Sequence, residues 1–242
     1  MYGILYRNVL FPLYESGLRR RDTLKHLEEL EEAQWLSLEE VKTRQWERLQ
    51  EILQHAYASV PFYRKRFNNV GMRPKDVRSY EDFVALPPLR KDDLRQSTGE
   101  LVAEDYRDKP LITAHSGGST GEPVEFKYDR DHYDRRIAAW MRADRWAGWE
   151  LGEKHLMLWL GVGSGRGDRS LFEVIKEHLH WAFKRWKVVS ATNLSPENVG
   201  EYHKAIQRFQ PRSMYGLSQS VYTFATLLDK MNLDPPSMNG II

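Results

Sequence analysis

Leu111-Ile112-Thr113-Ala114-His115 runs directly into Ser116-Gly117-Gly118-Ser119-Thr120-Gly121-Glu122-Pro123, and the reading of this stretch decides how the rest of the chain is understood. The first five residues are apolar or β-branched and predict a short strand. The three glycines that follow let the backbone bend and approach a ligand closely, so that successive N–H groups can point at one anion. The hydroxyls of Ser116, Ser119 and Thr120 add donors suited to phosphate oxygens, and Pro123 fixes the exit. The pattern is not a Walker A loop, because no Gly-Lys-[Ser/Thr] follows at the required spacing. As pattern alone it is open to two readings, a phosphate-cradling loop or a plain Ser/Gly turn.

Beyond this stretch, strands alternate with helices. Asp129 to about Ala147 has helical periodicity, with Gly148 as its stop. His155-Leu156-Met157-Leu158-Trp159-Leu160 predicts a strand buried on both faces. Ser170 to about Phe183 predicts a helix, Trp186 to Val189 a strand, and Ser195-Pro196 opens a helix to about Phe209. Arg212 to Tyr215 predicts a strand and Ser218 to about Lys230 a helix. Such alternation implies an α/β fold with a mostly parallel sheet flanked by helices. Before residue 108 the chain reads as mainly helical: Ser37 and Glu40 have capping-box spacing, Pro61 opens a second helix, and Ser79 and Arg90 precede two more. The expected organisation is a helical region over 1–108 packed on an α/β core over 109–242. Ile241-Ile242 read as the opening of another buried strand, so the chain is expected to stop inside a domain.

Composition narrows the function classes. Lys and Arg number 36 against 34 Asp and Glu, a net charge of +2, which is too small to be the footprint of a nucleic-acid binder. There are no cysteines, which excludes disulfides, thiolate metal sites and a cysteine nucleophile, and suits a cytoplasmic protein. No stretch approaches a transmembrane span, since Arg7, Asn8, Pro12 and Glu15 interrupt the apolar first eighteen residues. Those residues read either as an arm docked on the main body or, with Arg19-Arg20-Arg21, as a peripheral membrane contact. Docking is the simpler reading, because an interfacial helix should have a cleaner apolar face.

Three segments in order resemble one family. Ser116 to Pro123 resembles the phosphate-binding signature of the adenylate-forming (acyl-/aryl-CoA synthetase) superfamily. His55-Ala56-Tyr57-Ala58-Ser59-Val60-Pro61-Phe62-Tyr63-Arg64, with Tyr80-Glu81-Asp82-Phe83 and Leu86-Pro87, is similar to the phenylacetate–CoA ligase branch, which includes relatives linked to capsular polysaccharide biosynthesis. Gln210 to Ser220, containing Tyr215-Gly216-Leu217-Ser218, resembles the strand-turn-helix at the acyl pocket. The resemblance spans about residues 40 to 242 and implies part of the large N-terminal domain of such enzymes. It implies ATP-dependent activation of a carboxylic acid to an acyl adenylate, then transfer to coenzyme A, with Mg²⁺ assisting. It places Ser116, Gly117, Gly118, Ser119, Thr120 and Gly121 on the β- and γ-phosphates, and Tyr215, Gly216 and Ser218 at the wall of the acyl or adenine site.

The sequence also departs from the family. Glu122 stands in a loop where many relatives carry a Lys in or just after it, which would leave charge compensation to Lys127, Arg130, Mg²⁺ or another segment. Leu217-Ser218 replaces the common Pro-Ser. No Tyr-Gly-x-Thr-Glu-like segment, ribose-binding Asp motif or lid lysine is found. The resemblance therefore implies an N-terminal portion, inactive alone and lacking the catalytic lysine. The alternative is a non-catalytic nucleotide-binding or assembly module completed by another polypeptide.

Other candidates are weaker. Gly161-Val162-Gly163-Ser164-Gly165-Arg166-Gly167 invites a dinucleotide reading, but Arg166 occupies the third glycine position, so a surface loop is expected. His178 and His180 are two apart on a helix and should not converge on a metal. His115 reads as support for the loop rather than a base. Trp140, Trp146, Trp149 and Trp159 are expected in the core.

Overall fold

The computed structural model describes residues 2–97, 99–116, 123–159, 170–192 and 194–242. In chain order the elements are α1 (Tyr2–Leu5), continued by wider π-type turns over Tyr6–Leu10 and Leu13–Leu18; α2 (Thr23–Ala33), α3 (Leu38–Ser59), α4 (Pro61–Asn69), α5 (Tyr80–Val84) and α6 (Lys91–Gln96); β1 (Ile112–His115) and β2 (Glu125–Tyr128); then α7 (Arg130–Trp146), β3 (His155–Trp159), α8 (Leu171–Lys184), β4 (Trp186–Ser190), α9 (Val199–Phe209), β5 (Ser213–Gly216), α10 (Ser218–Lys230) and β6 (Gly240–Ile241). They form two compact units, residues 28–137 and residues 1–27 with 138–242. The change from helical to strand–helix sequence near residue 108 falls inside the first of these.

In the unit of residues 28–137, local sequence signals set the helix ends. Ser37 Oγ accepts from the Glu40 N–H while Glu40 accepts from the Ser37 N–H at 2.8 Å, closing the capping box that starts α3. Pro61 is the first residue of α4, where its missing N–H costs nothing. Leu53, Phe67 and Val77 form the core, with Trp46, Leu49 and Tyr57 packed against them. The extended Pro87-Pro88 connection has no N–H of its own to offer; its two carbonyls instead accept from the Arg66 guanidinium at 2.7 and 3.0 Å.

The other unit is built on a four-stranded parallel sheet of order β4-β3-β5-β6. β3 is buried along nearly its whole length, as expected of a parallel strand covered on both faces. Period-two alternation divides its side chains. Leu156 and Leu158 join Val189, Met214, and the α9 and α10 residues Val199, Ile206, Phe224 and Leu228 in one core. His155 and its neighbours on the opposite face meet aromatic rings: Trp149 and Trp186 lie 5.4 and 4.8 Å from the His155 ring. The ending is strand-like as expected, with Gly240 and Ile241 paired to Ser213 and Met214, but Ile241 is exposed and not buried.

Several expectations are corrected. The Leu111–His115 strand does not belong to the parallel sheet: Ile112–His115 pairs antiparallel with β2, a strand the sequence reading passed over. The helix expected from Ser195 begins at Val199, because Asn198 Oδ1 takes the Ser195 N–H into a turn. Trp146 is not in the core; it is 68% exposed with the Arg142 guanidinium over its ring, whereas Trp149 is 2% exposed. The arm over residues 2–18 does dock on its own unit, with Tyr6 and Phe11 buried and Phe183 of α8 5.2 Å from the Tyr6 ring.

Candidate functional site

Two local structures carry the residues singled out from sequence. The first is the hairpin of β1 and β2, whose connection contains the Ser/Gly stretch. Register pairs His115 with Glu125, and beyond that pair Ser116 and Val124 face each other. The Ser116 N–H donates to the Val124 carbonyl and the Val124 N–H donates to Ser116 Oγ, both at 2.9 Å. The mouth of the loop is thereby closed by two bonds. The hydroxyl uses an acceptor lone pair in this, so its proton can still be donated elsewhere. Gly117, Gly118, Ser119, Thr120, Gly121 and Glu122 lie outside the described residues, as do Gly161 to Gly167 and Arg169.

Lys127 is exposed on β2 and Arg130 begins α7, both a few residues beyond the loop. His115 is exposed. On this unit a cavity of about 550 Å³ is bordered by His55, Tyr63, Tyr106, Phe126, Tyr128 and His132 among others. His55 Nε2 meets the Asp105 carboxylate at 3.2 Å, and the negative charge of Asp129 raises the Tyr106 phenol above its ordinary range. Sequence reading passed over this concavity, because its residues come from α3, α4, α6, β2, α7 and the residue 101–111 segment.

The second local structure lies in the other unit, at the C-terminal ends of the parallel strands. From β3 the chain goes outward to β4, then returns past β3 to β5 and continues to β6. The order reverses between β3 and β5, and in open parallel sheets the crevice at such a reversal, outside the carboxyl ends of the strands, is where ligands bind. Trp159 ends β3 and Gly216 ends β5. Tyr215 stacks on Trp159 with centroids 5.3 Å apart and planes 22° apart, and the Trp140 ring of α7 lies 4.9 Å from it. Trp140 Nε1 is buried without a partner among the described residues.

Gly216 is dictated by packing: a Cβ there would lie 2.8 Å from Val221 Cγ2 and 3.2 Å from the Leu158 carbonyl oxygen. Ser218, exposed, opens α10, so the free N–H groups of that helix start beside this reversal. Tyr215, Gly216 and Ser218 are thus brought together at one reversal point. Trp159 and Trp140 join them by contacts between distant parts of the chain, and no spacing in the sequence signals that. Among the described residues no three His, Asp or Glu side chains are grouped to hold a metal ion.

No protein-family model matches the chain. It is 31% identical over 186 residues, 76% of its own length, to a phenylacetate-coenzyme A ligase of Aromatoleum evansii. It is 24% identical over 153 residues, 62% of its length, to protein CapK of Staphylococcus aureus. It spans only 39% and 32% of those two proteins. Its fold is similar to that of 2-hydroxyisobutyryl-CoA ligase, solved with 2-HIB-AMP and CoA, with a TM-score of 0.58 at 23% identity, over 83% of this chain and 42% of the other. A parallel sheet reversing at β3 and β5 agrees with these likenesses: in sequence and in fold the chain is similar to CoA ligases of the adenylate-forming superfamily. Within it the similarity is to the phenylacetate–CoA ligase and CapK branch.

Proposed function

We propose that this chain supplies the nucleotide- and acid-binding part of an ATP-dependent acid–CoA ligase. In this reading Ser116, Gly117, Gly118, Ser119, Thr120 and Gly121 hold the β- and γ-phosphates of ATP. Tyr215, Gly216 and Ser218 line the acyl or adenine site, and a small carboxylic acid is the substrate. The observation that carries it is the pair of hydrogen bonds between Ser116 and Val124. That pair holds the two ends of a glycine- and hydroxyl-rich connection at fixed separation, as a loop must be held if its amides are to be preset for an anion.

The chemistry follows from the charges involved. A carboxylate is a poor electrophile, and transfer of the AMP group turns one of its oxygens into a good leaving group. The protein must hold the carboxylate in line with the α-phosphate while charge builds on pyrophosphate. Mg²⁺ would supply positive charge to the phosphates, with Lys127 and Arg130 near enough in sequence to the loop to compensate Glu122. Coenzyme A would then accept the acyl group. Residues not present here, whether further along a longer chain or on a second polypeptide, would supply the catalytic lysine, and the reaction is placed in the cytoplasm. The boundary near residue 108 then divides a helical region from the α/β core.

The test is binding without turnover. Millimolar MgATP should raise the melting temperature of the 242-residue chain, and Ser119→Ala/Thr120→Ala should abolish that rise. The same chain given ATP, CoA and a panel of aryl and aliphatic acids should release no pyrophosphate. Absence of a thermal shift in the unaltered chain defeats the nucleotide reading, while pyrophosphate release defeats the view that it needs a complement.

A further inference from the structure

The arm over residues 2–20 has two faces of opposite character. Its inward face holds Tyr6, Phe11 and Glu15, all buried. Its outward face presents Tyr2, Ile4, Leu5, Val9, Leu13 and Leu18, of which Leu13 is 65% and Leu18 76% exposed. Among them stand the uncharged Asn8, Ser16 and Gly17 and the half-exposed Arg7, which meets Glu150 at 3.3 Å, and the stripe ends at Arg19 and Arg20, both exposed. Glu15, the single acidic residue in this stretch, is turned inward, where it accepts from Thr23 Oγ1 at 2.9 Å and meets Arg21 at 3.3 Å. The arm's outward residues are therefore mainly aliphatic and basic at one end, and none of them carries a carboxylate of its own.

We propose that this face is a docking surface for an anionic lipid bilayer, with the arm lying flat in the interface. The cleaner apolar stripe that the sequence alone does not display is created by the fold, which spends the arm's polar and bulky residues on its own unit. An apolar face with arginines at its edge matches the acyl–headgroup boundary, and negative headgroups complement Arg19 and Arg20. A second copy of the chain fits worse. In a two-fold pairing the arginines of one arm would meet either the arginines or the aliphatic end of the other, and no outward residue of the arm over 2–20 offers them an acid. The arm does not cross the bilayer: among the described residues no helix is long and apolar enough to span it.

Co-sedimentation of the 242-residue chain with vesicles tests this directly. The chain should pellet with phosphatidylcholine vesicles containing phosphatidylglycerol and stay in solution with phosphatidylcholine alone, and added salt should release it. Leu13→Glu should abolish pelleting. Arg20→Glu should weaken it about fivefold or more, since each cation near such a surface contributes about that factor. Both positions are exposed, so each variant should keep the unaltered melting temperature, and a variant that does not is replaced by Leu18→Glu. Equal pelleting with neutral vesicles, no pelleting with either, or pelleting unchanged by Leu13→Glu overturns the proposal. So does a dimer in solution that Leu13→Glu dissociates, which would assign the face to a second copy.

Discussion

Ser116 and Val124 are joined twice, the Ser116 N–H to the Val124 carbonyl and the Val124 N–H to the Ser116 hydroxyl oxygen, each at 2.9 Å. The second bond is made by a side chain, so mutation can remove it while leaving the first. Ser116→Ala should cost the fold only about 1 kcal/mol, the ordinary net worth of one such bond. Its effect on MgATP binding should be larger than that, because a loop with one restraint fewer must be ordered by the ligand. Ser116→Thr keeps the acceptor and should retain binding. Thermal shift with and without MgATP separates the two effects, and equal nucleotide binding by all three proteins would remove the clamp from the functional argument.

Gly216 makes a second, independent prediction. Its missing Cβ is required by a backbone oxygen of β3, which cannot move without distorting the sheet, and by Val221 Cγ2, which can. Gly216→Ala should destabilise by about 1–3 kcal/mol, the usual range for overpacking. Adding Val221→Ala should recover part of this loss and not all of it, because the Leu158 carbonyl remains. Urea midpoints of the two single variants and the double variant give the coupling. Full recovery would mean that the carbonyl contact yields freely.

The four tryptophans expected in the core divide sharply. Trp149→Ala removes a ring buried against His155 and Trp186 and should cost about 3–5 kcal/mol, whereas Trp146→Ala removes an exposed ring and should cost less than about 0.5 kcal/mol. Both values come from the same denaturation experiment.

That contrast shows where the sequence was informative. β3 was legible because it is an uninterrupted apolar run, and the starts of α3 and α8 because Ser37 with Glu40 and Ser170 with Glu173 carry their caps within four residues. Such signals are local, and so they survive in one dimension. β2 was missed although Glu125-Phe126-Lys127-Tyr128 alternates, because four residues beside a glycine loop are too few to outweigh the turn signal. Trp146 and Trp149 have the same local chemistry. What separates them is that Gly148, at φ +82°, turns the chain so that only the second ring enters the aromatic face of the sheet. The site divides in the same way: Tyr215, Gly216 and Ser218 were legible as one motif, whereas the Trp159 and Trp140 rings against Tyr215 depend on contacts made only after folding.

Buried titratable groups in the unit of residues 1–27 and 138–242 set a pH dependence that can be signed. Burial pushes the Asp144 carboxyl up to about 7. Burial pulls His155 down to about 4, and burial assisted by Lys184, Arg19 and Arg21 pulls His180 down to about 4. Between the unfolded carboxyl value and 7, folded Asp144 keeps a proton that the unfolded chain has released, so its contribution is present in acid and lost as pH rises. The histidines act oppositely. The folded chain keeps them neutral down to about 4, whereas the unfolded chain protonates them near 6.5, so their contribution is present above 6.5 and lost on acidification. Two histidines outweigh one carboxyl, and stability should fall as pH drops from about 6.5 toward 4. Asp144→Asn removes the opposing group. It should raise the urea midpoint above pH 7, where the native chain must hold a buried charge, and steepen the loss in acid. His180→Gln should flatten that loss. A midpoint for Asp144→Asn that runs parallel to the unaltered chain at every pH would mean that burial does not shift this carboxyl from its unfolded value.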